Sequence, residues 1–381
     1  MQIIHLSLAN FRNYTQLELD LPPQHIVIHG ENAQGKTNLL EALYLLSTTK
    51  SYRTSNEKEL MNWSALEEPN SVTRISGNLQ KERGEIKVEI ALRCDGTGLT
   101  QKRIRVNDIP HRASEVVGQA NMVMFEAQDS QLTCGPASIR RRHLDLINSQ
   151  IDRCYLHSLQ RYNRVLVQRN HLLRLINENQ AKVDQLEFWD NELVRNGTYL
   201  IMCRGQMIDG INESLLALYQ KLSGDKEILE IKYLPKIECD IVTPLSDEKL
   251  INQFHEQLQK ARGQEIAAGV TLAGPHRDEM RFLVNGVDIG IYGSRGQQRI
   301  AALAIKLAQA EYSKSQTGEY PIILLDDVLS ELDSEHRQKL LELVSTLPQI
   351  FITTTDIRTM EPSFLLRAMQ FKVFQGSIKQ L

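Results

Sequence analysis

The chain has 381 residues, 41% of them hydrophobic, and a formal net charge of −3. That composition buries a substantial core in two or three lobes and excludes a disordered or fibrous chain, while the slight acidity means that only a local basic patch can hold a polyanion. No apolar run approaches the roughly 20 residues that cross a bilayer, and the start Met1-Gln2-Ile3-Ile4-His5 lacks a charged leader with an apolar segment, so a cytoplasmic chain with no membrane partner is expected.

In chain order, strand-like patterns at Ile3 to Leu8, Leu17 to Leu21 and Ile26 to Ile28 precede a glycine-rich turn and a helical stretch, Asn38 to Leu46. Glu85 to Arg93 alternates apolar and polar residues, so residues 1–128 are expected to form an α/β lobe with a strand-rich insertion. From Ile139 the period becomes helical, with Ile147, Ile151, Tyr155, Leu159, Tyr162, Leu166, Leu173 and Ile176 predicting one long helix. After the polar turn at residues 177–180, a second helical pattern runs from Val183 to Leu218, with breaks expected at Gly197, Gly205 and Gly210. The pair predicts an antiparallel arm within a helical domain spanning residues 129–268. Leu222 to Leu250, with Gly224, Pro235 and Pro244, is expected to connect. Residues 269–381 return to α/β patterning, with strands expected at Pro321 to Leu325 and Gln349 to Thr353. Cys94, Cys134, Cys154, Cys203 and Cys239 stand singly, which argues against a disulfide framework or structural zinc and predicts buried apolar residues.

Gly30-Glu31-Asn32-Ala33-Gln34-Gly35-Lys36-Thr37 fits the phosphate-loop pattern between a β-branched strand and a helix. Such a loop turns backbone N–H groups and a helix dipole onto phosphate oxygens; Lys36 reaches the β- and γ-phosphates and the Thr37 hydroxyl ligates Mg²⁺. ATP with Mg²⁺ is the expected ligand. The strand Ile322-Ile323-Leu324-Leu325 ends in two acids, of which Asp326 is assigned to the metal and Asp327 to the attacking water. Upstream, Ser294-Arg295-Gly296-Gln297 opens a helical pattern, and two readings meet there. One is a capping box between Ser294 and Gln297. The other, favoured by its place ahead of the acidic strand, is a signature in which Ser294, Gly296 and Gln297 bind the γ-phosphate held by a second subunit.

These motifs, with Ser330-Glu331-Leu332-Asp333 as the loop that crosses the dimer interface, resemble an ABC-type ATPase head of the P-loop NTPase class, an α/β fold split by a helical arm insertion. Over the whole chain the residues resemble the RecF family of SMC-like ABC ATPases. The matching stretches are Leu8 to Tyr14, Gly30 to Asn38, Ser51-Tyr52-Arg53-Thr54, Gly274-Pro275-His276-Arg277-Asp278, Ser294 to Arg299 and Leu325 to Asp333. The resemblance implies an ATP-dependent homodimer acting at single-strand/double-strand junctions of DNA with RecR and RecO to place RecA on gaps. It also implies weak ATP hydrolysis stimulated by DNA, a nucleotide contact by Arg12, coupling of DNA to the ATPase by Arg53, and a γ-phosphate sensor at Gln128. A surface loop is an equal reading of Gln128. Asp327 where relatives often carry Glu, Arg295 where the signature usually has glycine, and Thr353-Thr354-Thr355 in place of a switch histidine all point to slow turnover.

Residues 139–177 hold eight arginines against two aspartates, so Arg140, Arg141 and Arg142 are candidates for phosphate contacts. Pairing with the acidic second arm helix is the competing reading. Lys102-Arg103-Ile104-Arg105 is expected to point its charges outward from a strand, as a DNA contact or as a solvated sheet edge. Dispersed histidines offer no metal set, and His276 is either a turn residue or a support for the catalytic lobe.

Overall fold

A computed structural model of the chain describes residues 1–66, 71–95, 100–224, 226–237 and 247–381. The chain divides into two compact units, one of residues 1–129, 221–225 and 303–381 and the other of residues 130–220 and 226–302. The expected boundaries were 129–268 for the arm and 269–381 for the returning lobe, so residues 269–302 pack with the helices instead. The cause is a sheet: Glu279–Val284 pairs antiparallel with Leu229–Leu234, inside the stretch expected to be a connector.

The first unit contains two six-stranded sheets. One is antiparallel, in the order Tyr14–Asp20, Gln2–Phe11, Val72–Lys81, Gly84–Cys94, Thr100–Val106, Ile109–His111. The other runs Ser377–Gln380, Ala368–Phe374, His25–His29, Ile350–Thr354, Ile322–Asp326, Met122–Glu126, parallel except for the closing hairpin. Its central strands run apolar and buried up to their carboxyl ends, because both faces are covered. Helix Lys36–Thr48 packs against strands of both sheets and is buried on nearly every side, Glu41 included. Ligands bind beyond the carboxyl ends of such strands, where the loops after His29, Glu126 and Asp326 gather.

In the second unit the long helix expected from residue 139 is two, Ala137–Ile151 and Arg153–Asn177. Asp152 is extended between them, and its carboxylate accepts from the Cys154 N–H at 2.8 Å and the Tyr199 hydroxyl at 2.6 Å. An aspartate in that role ends one helix and caps the next, which apolar spacing alone does not register. The reverse happens at Leu186–Ser223, where 38 residues run unbroken through the three glycines. A Cβ at Gly197 would lie 2.7 Å from the Phe254 ring and 3.0 Å from that of Tyr162, so this glycine makes room for packing and does not interrupt the helix. Phe254 belongs to Asp247–Ala268, a helix that the sequence pattern left unassigned. Arg153–Asn177 and Leu186–Ser223 are antiparallel, tied by Arg161 to Glu192 and Arg169 to Asp190, each at 2.7 Å, with Leu172, Leu173, Ile176 and Leu186 clustered near the turn.

Cysteines 134 and 154 are exposed and 94 and 203 half-buried, a correction to the expected burial, since a helix end, a helix start and a strand end carry Cys134, Cys154 and Cys94; Cys239 and Pro244 lie outside the described residues. Among the described residues no helix is long and apolar enough to cross a membrane.

Candidate functional site

The phosphate loop joins strand His25–His29 to helix Lys36–Thr48, with Gly35 at φ 122°, a conformation L side chains rarely adopt. A Cβ there would also meet the Asn13 amide at 2.6 Å. Two hairpins clamp the loop. Asn13 donates to the Gln34 carbonyl at 2.8 Å and Tyr14 to the Gly35 carbonyl at 3.0 Å, while the Gln375 and Gly376 N–H groups reach the Gln34 side chain and backbone at 2.7 and 3.1 Å. Lys36 is buried and its ammonium donates to the Gly30 and Glu31 carbonyls at 2.7 and 2.8 Å. Burial pulls its pKa down, opposed by the charges of Asp327 and Asp326.

The two acids are fixed by one hydroxyl. Thr353, fully buried at the end of the neighbouring strand, donates to Asp326 Oδ1 at 2.8 Å and accepts the Asp327 N–H at 2.9 Å. Thr37 donates to the same Asp326 oxygen at 3.0 Å. Asp327 adopts the left-handed region at φ 52°, its carbonyl accepts from Ser330 at 2.7 Å, and its Oδ1 is buried without a hydrogen-bond partner. Burial raises the pKa of both carboxyls. A hydroxyl and a carboxylate oxygen facing each other are hard donors that fit Mg²⁺, which takes one or two protein oxygens and completes its shell with water and substrate phosphates. Among the described residues no set of three or more histidines, cysteines and acids forms a metal cage.

Arg12 and Arg53 converge on one buried acid. Arg12 forks onto Glu41 at 2.7 and 2.9 Å and also donates to the Glu59 carbonyl. Arg53 reaches Glu41 at 3.3 Å and Asn38 at 2.8 Å, and the Ser51 hydroxyl holds Glu41 at 2.5 Å. Both arginines thus brace the helix that carries the phosphate loop, and Arg53 remains half exposed. Gln128 is exposed in the short turn Ala127–Asp129 after strand Met122–Glu126. The residue in register beside Asp326 is Glu126, whose carboxyl burial pushes up to about 7. Lys306 pins that turn through Asp129 and the Met124 carbonyl.

Ser294 forms the capping box of helix Arg295–Thr317: its hydroxyl accepts from the Gln297 N–H at 3.2 Å and its own N–H reaches the Gln297 side chain at 3.1 Å. Ser294, Arg295 and Gly296 are nonetheless exposed, beside Ile291 and Tyr292, which are 70% and 76% exposed. Asp333 caps the helix Ser334–Val344. The Gly274–Asp278 motif lies in the core of the second unit. Asp278 is fully buried and accepts from Arg204, Tyr233 and the Lys236 N–H; Arg204 also reaches Asp145 at 2.8 Å. His276 meets the Thr271 carbonyl at 3.1 Å and Tyr162 at 2.6 Å. A carbonyl only accepts, so Nε2 carries the proton and Nδ1 takes the tyrosine hydroxyl.

The proposed DNA residues separate by their partners. Arg140 forks onto Glu279 at 2.7 and 2.9 Å and Arg141 donates to the Asp278 carbonyl, so both are engaged inside the second unit, whereas Arg142 is exposed. Lys102 does not point outward with its neighbours. It shares the inner face with Ile104, bound to Glu57 at 2.6 Å and to the Thr49 carbonyl, because alternation on a strand sends 102 and 104 one way and Arg103 and Arg105 the other. Glu41 was not foreseen, and its only signal is a polar residue within an apolar helix pattern; Asn13, Tyr14 and Thr353 fall in stretches the sequence singled out, but their bonds to the loop and the acids were not anticipated.

The model of the RecF/RecN/SMC N terminal domain family matches residues 2–377. The DNA replication and repair protein RecF of Chloroflexus aurantiacus is 39% identical over 391 residues, covering 99% of each chain. That of Lysinibacillus sphaericus is 39% identical over 382 residues and 100% of each. A solved structure of the recombination mediator protein RecF with an ATP analogue superposes with a TM-score of 0.89 at 32% identity, covering 100% of this chain and 98% of that one, and one named for RecF with ATP gives 0.88 at 31%, covering 100% and 97%. An Smc head domain from Pyrococcus furiosus shares the fold, with a TM-score of 0.57 at 14% identity over 100% of this chain and 95% of that one.

Proposed function

This chain belongs to the RecF/RecN/SMC N-terminal domain family as a DNA replication and repair protein of the RecF type, and from that premise we propose an ATP-closed homodimer that works on DNA gaps. The observation that carries the reading is the Thr37 hydroxyl facing Asp326 at 3.0 Å, beside a lysine seated in the phosphate loop. Solved relatives are named for RecF with ATP and for the RecFOR pathway, which supports ATP as ligand and RecO and RecR as partners, with RecA loading as the outcome.

Thr37 and Asp326 would hold Mg²⁺, which neutralises phosphate charge as it develops. Lys36 moves from the loop carbonyls onto the phosphates, and Asp327, with one carboxylate oxygen uncommitted, orients the attacking water. A carboxylate one methylene shorter than glutamate positions that water less well, so hydrolysis is slow and ATP acts as a switch, stimulated weakly by DNA. The exposed Ser294 to Gly296 turn, with Ile291 and Tyr292 beside it, offers a surface on which a second copy's ATP can close. Gln128 reports the γ-phosphate and Arg53 couples DNA to the loop helix. By function, residues 1–128 and 269–381 form the ATPase lobe and 129–268 the arm, and the protein works in the cytoplasm.

The test is the mass in solution with ATP and Mg²⁺, with and without a gapped duplex, for the parent and Lys36→Ala. A dimer that binds the gapped duplex and is lost in the variant supports the switch. A parent that stays monomeric and ignores DNA overturns it.

A further inference from the structure

Strands Val72–Lys81, Gly84–Cys94 and Thr100–Val106 turn their buried residues to one side and four arginines to the other. Register places Arg74 opposite Ala91 and Ala91 opposite Arg103, while one step along Glu89 stands opposite Arg105 and, in the other direction, Arg93 stands opposite Gln101. Arg74, Arg93, Arg103 and Arg105 therefore rim a shallow cavity of about 200 Å³ floored by Ala91. Among the described residues the only acid lining it is Glu89, largely covered and 3.7 and 3.9 Å from Arg74 and Arg105, so one carboxylate is shared between two guanidiniums.

We propose that this arginine face is a seat for the phosphate backbone of duplex DNA. The inference rests on the reading that the protein binds DNA, and adds a surface to it. Its spacing suits a regular polyanion: arginines two residues apart on a strand are about 7 Å apart, and those two strands apart about 10 Å, on a rigid support. Guanidinium forks match phosphate oxygens in pairs. Among the described residues no aromatic side chain lines the cavity, so it offers no stacking platform of the kind a single strand would use. The same sheet face turns acidic at its other edge, where Glu18 and Asp20 flank His5, so a polyanion is confined to the three basic strands. Ala91 keeps the floor low enough for a backbone to approach. Lys102, on the same strand but the opposite side, is excluded from the contact.

The experiment titrates the full chain, with ATP and Mg²⁺, onto a labelled blunt duplex and an equal length of single strand from 50 to 200 mM salt. Each phosphate contact contributes about 0.9 to the slope of log affinity on log salt, or roughly 3.5-fold across that range. Arg74→Gln with Arg103→Gln should lower the duplex slope by nearly two contacts while ATP-induced dimerisation is kept. Glu89→Gln should do the opposite and tighten duplex binding several-fold, an outcome that damage to the sheet would not produce. If the parent binds duplex and both variants match it, the seat is elsewhere and the DNA-gap reading survives. If the losses appear with single strand only, or if the parent binds no DNA, the duplex seat is refuted, and in the second case the wider reading falls with it.

Discussion

Replacing Thr353 by valine removes one hydroxyl that holds both acids of the site. In the structure that oxygen accepts the Asp327 N–H at 2.9 Å and donates to Asp326 at 2.8 Å. An amide left unpaired at a buried position costs about 1–3 kcal/mol, and a lost hydrogen bond to a carboxylate is worth about 1.5–3 kcal/mol. Because Asp326 keeps its hydrogen bond from Thr37, the expected loss is about 2–4 kcal/mol where Asp326 is charged. The sign with pH follows from the same bond. Thr353 lowers the pKa of Asp326 against the upward push of burial, so its removal raises that pKa further. The penalty is therefore largest where Asp326 is charged and shrinks as pH falls through the folded pKa, and Mg²⁺-dependent ATP binding fails at a higher pH than in the parent. Urea unfolding monitored in the first unit, together with nucleotide binding against pH at fixed Mg²⁺, reads both effects. Thr353→Ser keeps the hydroxyl and should restore the pH profile, at the cost of a small cavity. A valine variant within about 0.5 kcal/mol of the parent, with an unshifted profile, refutes the claim that this hydroxyl sets the acids.

Arg169 is fully buried and bonds Asp190, Glu265 and Thr271 at 2.7 to 2.8 Å; Asp190 keeps Arg262 at 3.0 Å, but Arg169→Met leaves the buried Glu265 without a cation and should cost about 3–5 kcal/mol in denaturant unfolding of the second unit. A loss under about 1 kcal/mol would count against the buried network. His276 has its pKa pushed down to about 4, first by burial, so it contributes stability above the unfolded value of 6.5 that is lost as pH falls towards 4. The parent should lose about 3 kcal/mol more than His276→Gln across that window, and parallel curves would show that the ring takes up its proton freely. Ser294→Arg should leave monomer ATP binding intact and abolish ATP-induced dimerisation in sedimentation; a dimer that persists removes the signature reading.

What the sequence disclosed was whatever is written in contiguous residues. The phosphate loop, the acids after Leu325 and the capping pair Ser294 and Gln297 are local patterns, and each falls where its spacing placed it. The supports of the loop come from far along the chain, as with Gln375 reaching Gln34. No local window contains both partners, and Asn13 or Thr353 alone looks like an ordinary turn or strand residue. Asp152 shows the limit from the other side. Apolar spacing continues across it, yet two hydrogen bonds to its carboxylate decide that the helix stops. Arg140 and Arg142 are indistinguishable as letters in a basic run, and only the fold gives Glu279 to the first and solvent to the second.

The strand that delivers the phosphate loop, His25–His29, has as its two neighbours Ile350–Thr354 and Ala368–Phe374. During synthesis at about 5 to 20 residues per second, more than 300 further residues must leave the ribosome before either neighbour exists, a wait of roughly 15 to 60 seconds. Through that interval the apolar strand lacks both of its sheet neighbours, and its helix can pack only on strands made before residue 130. The nucleotide site is then among the last parts of the protein to become functional, and a truncated product lacking the final strands retains the whole phosphate loop sequence without the sheet that shapes it.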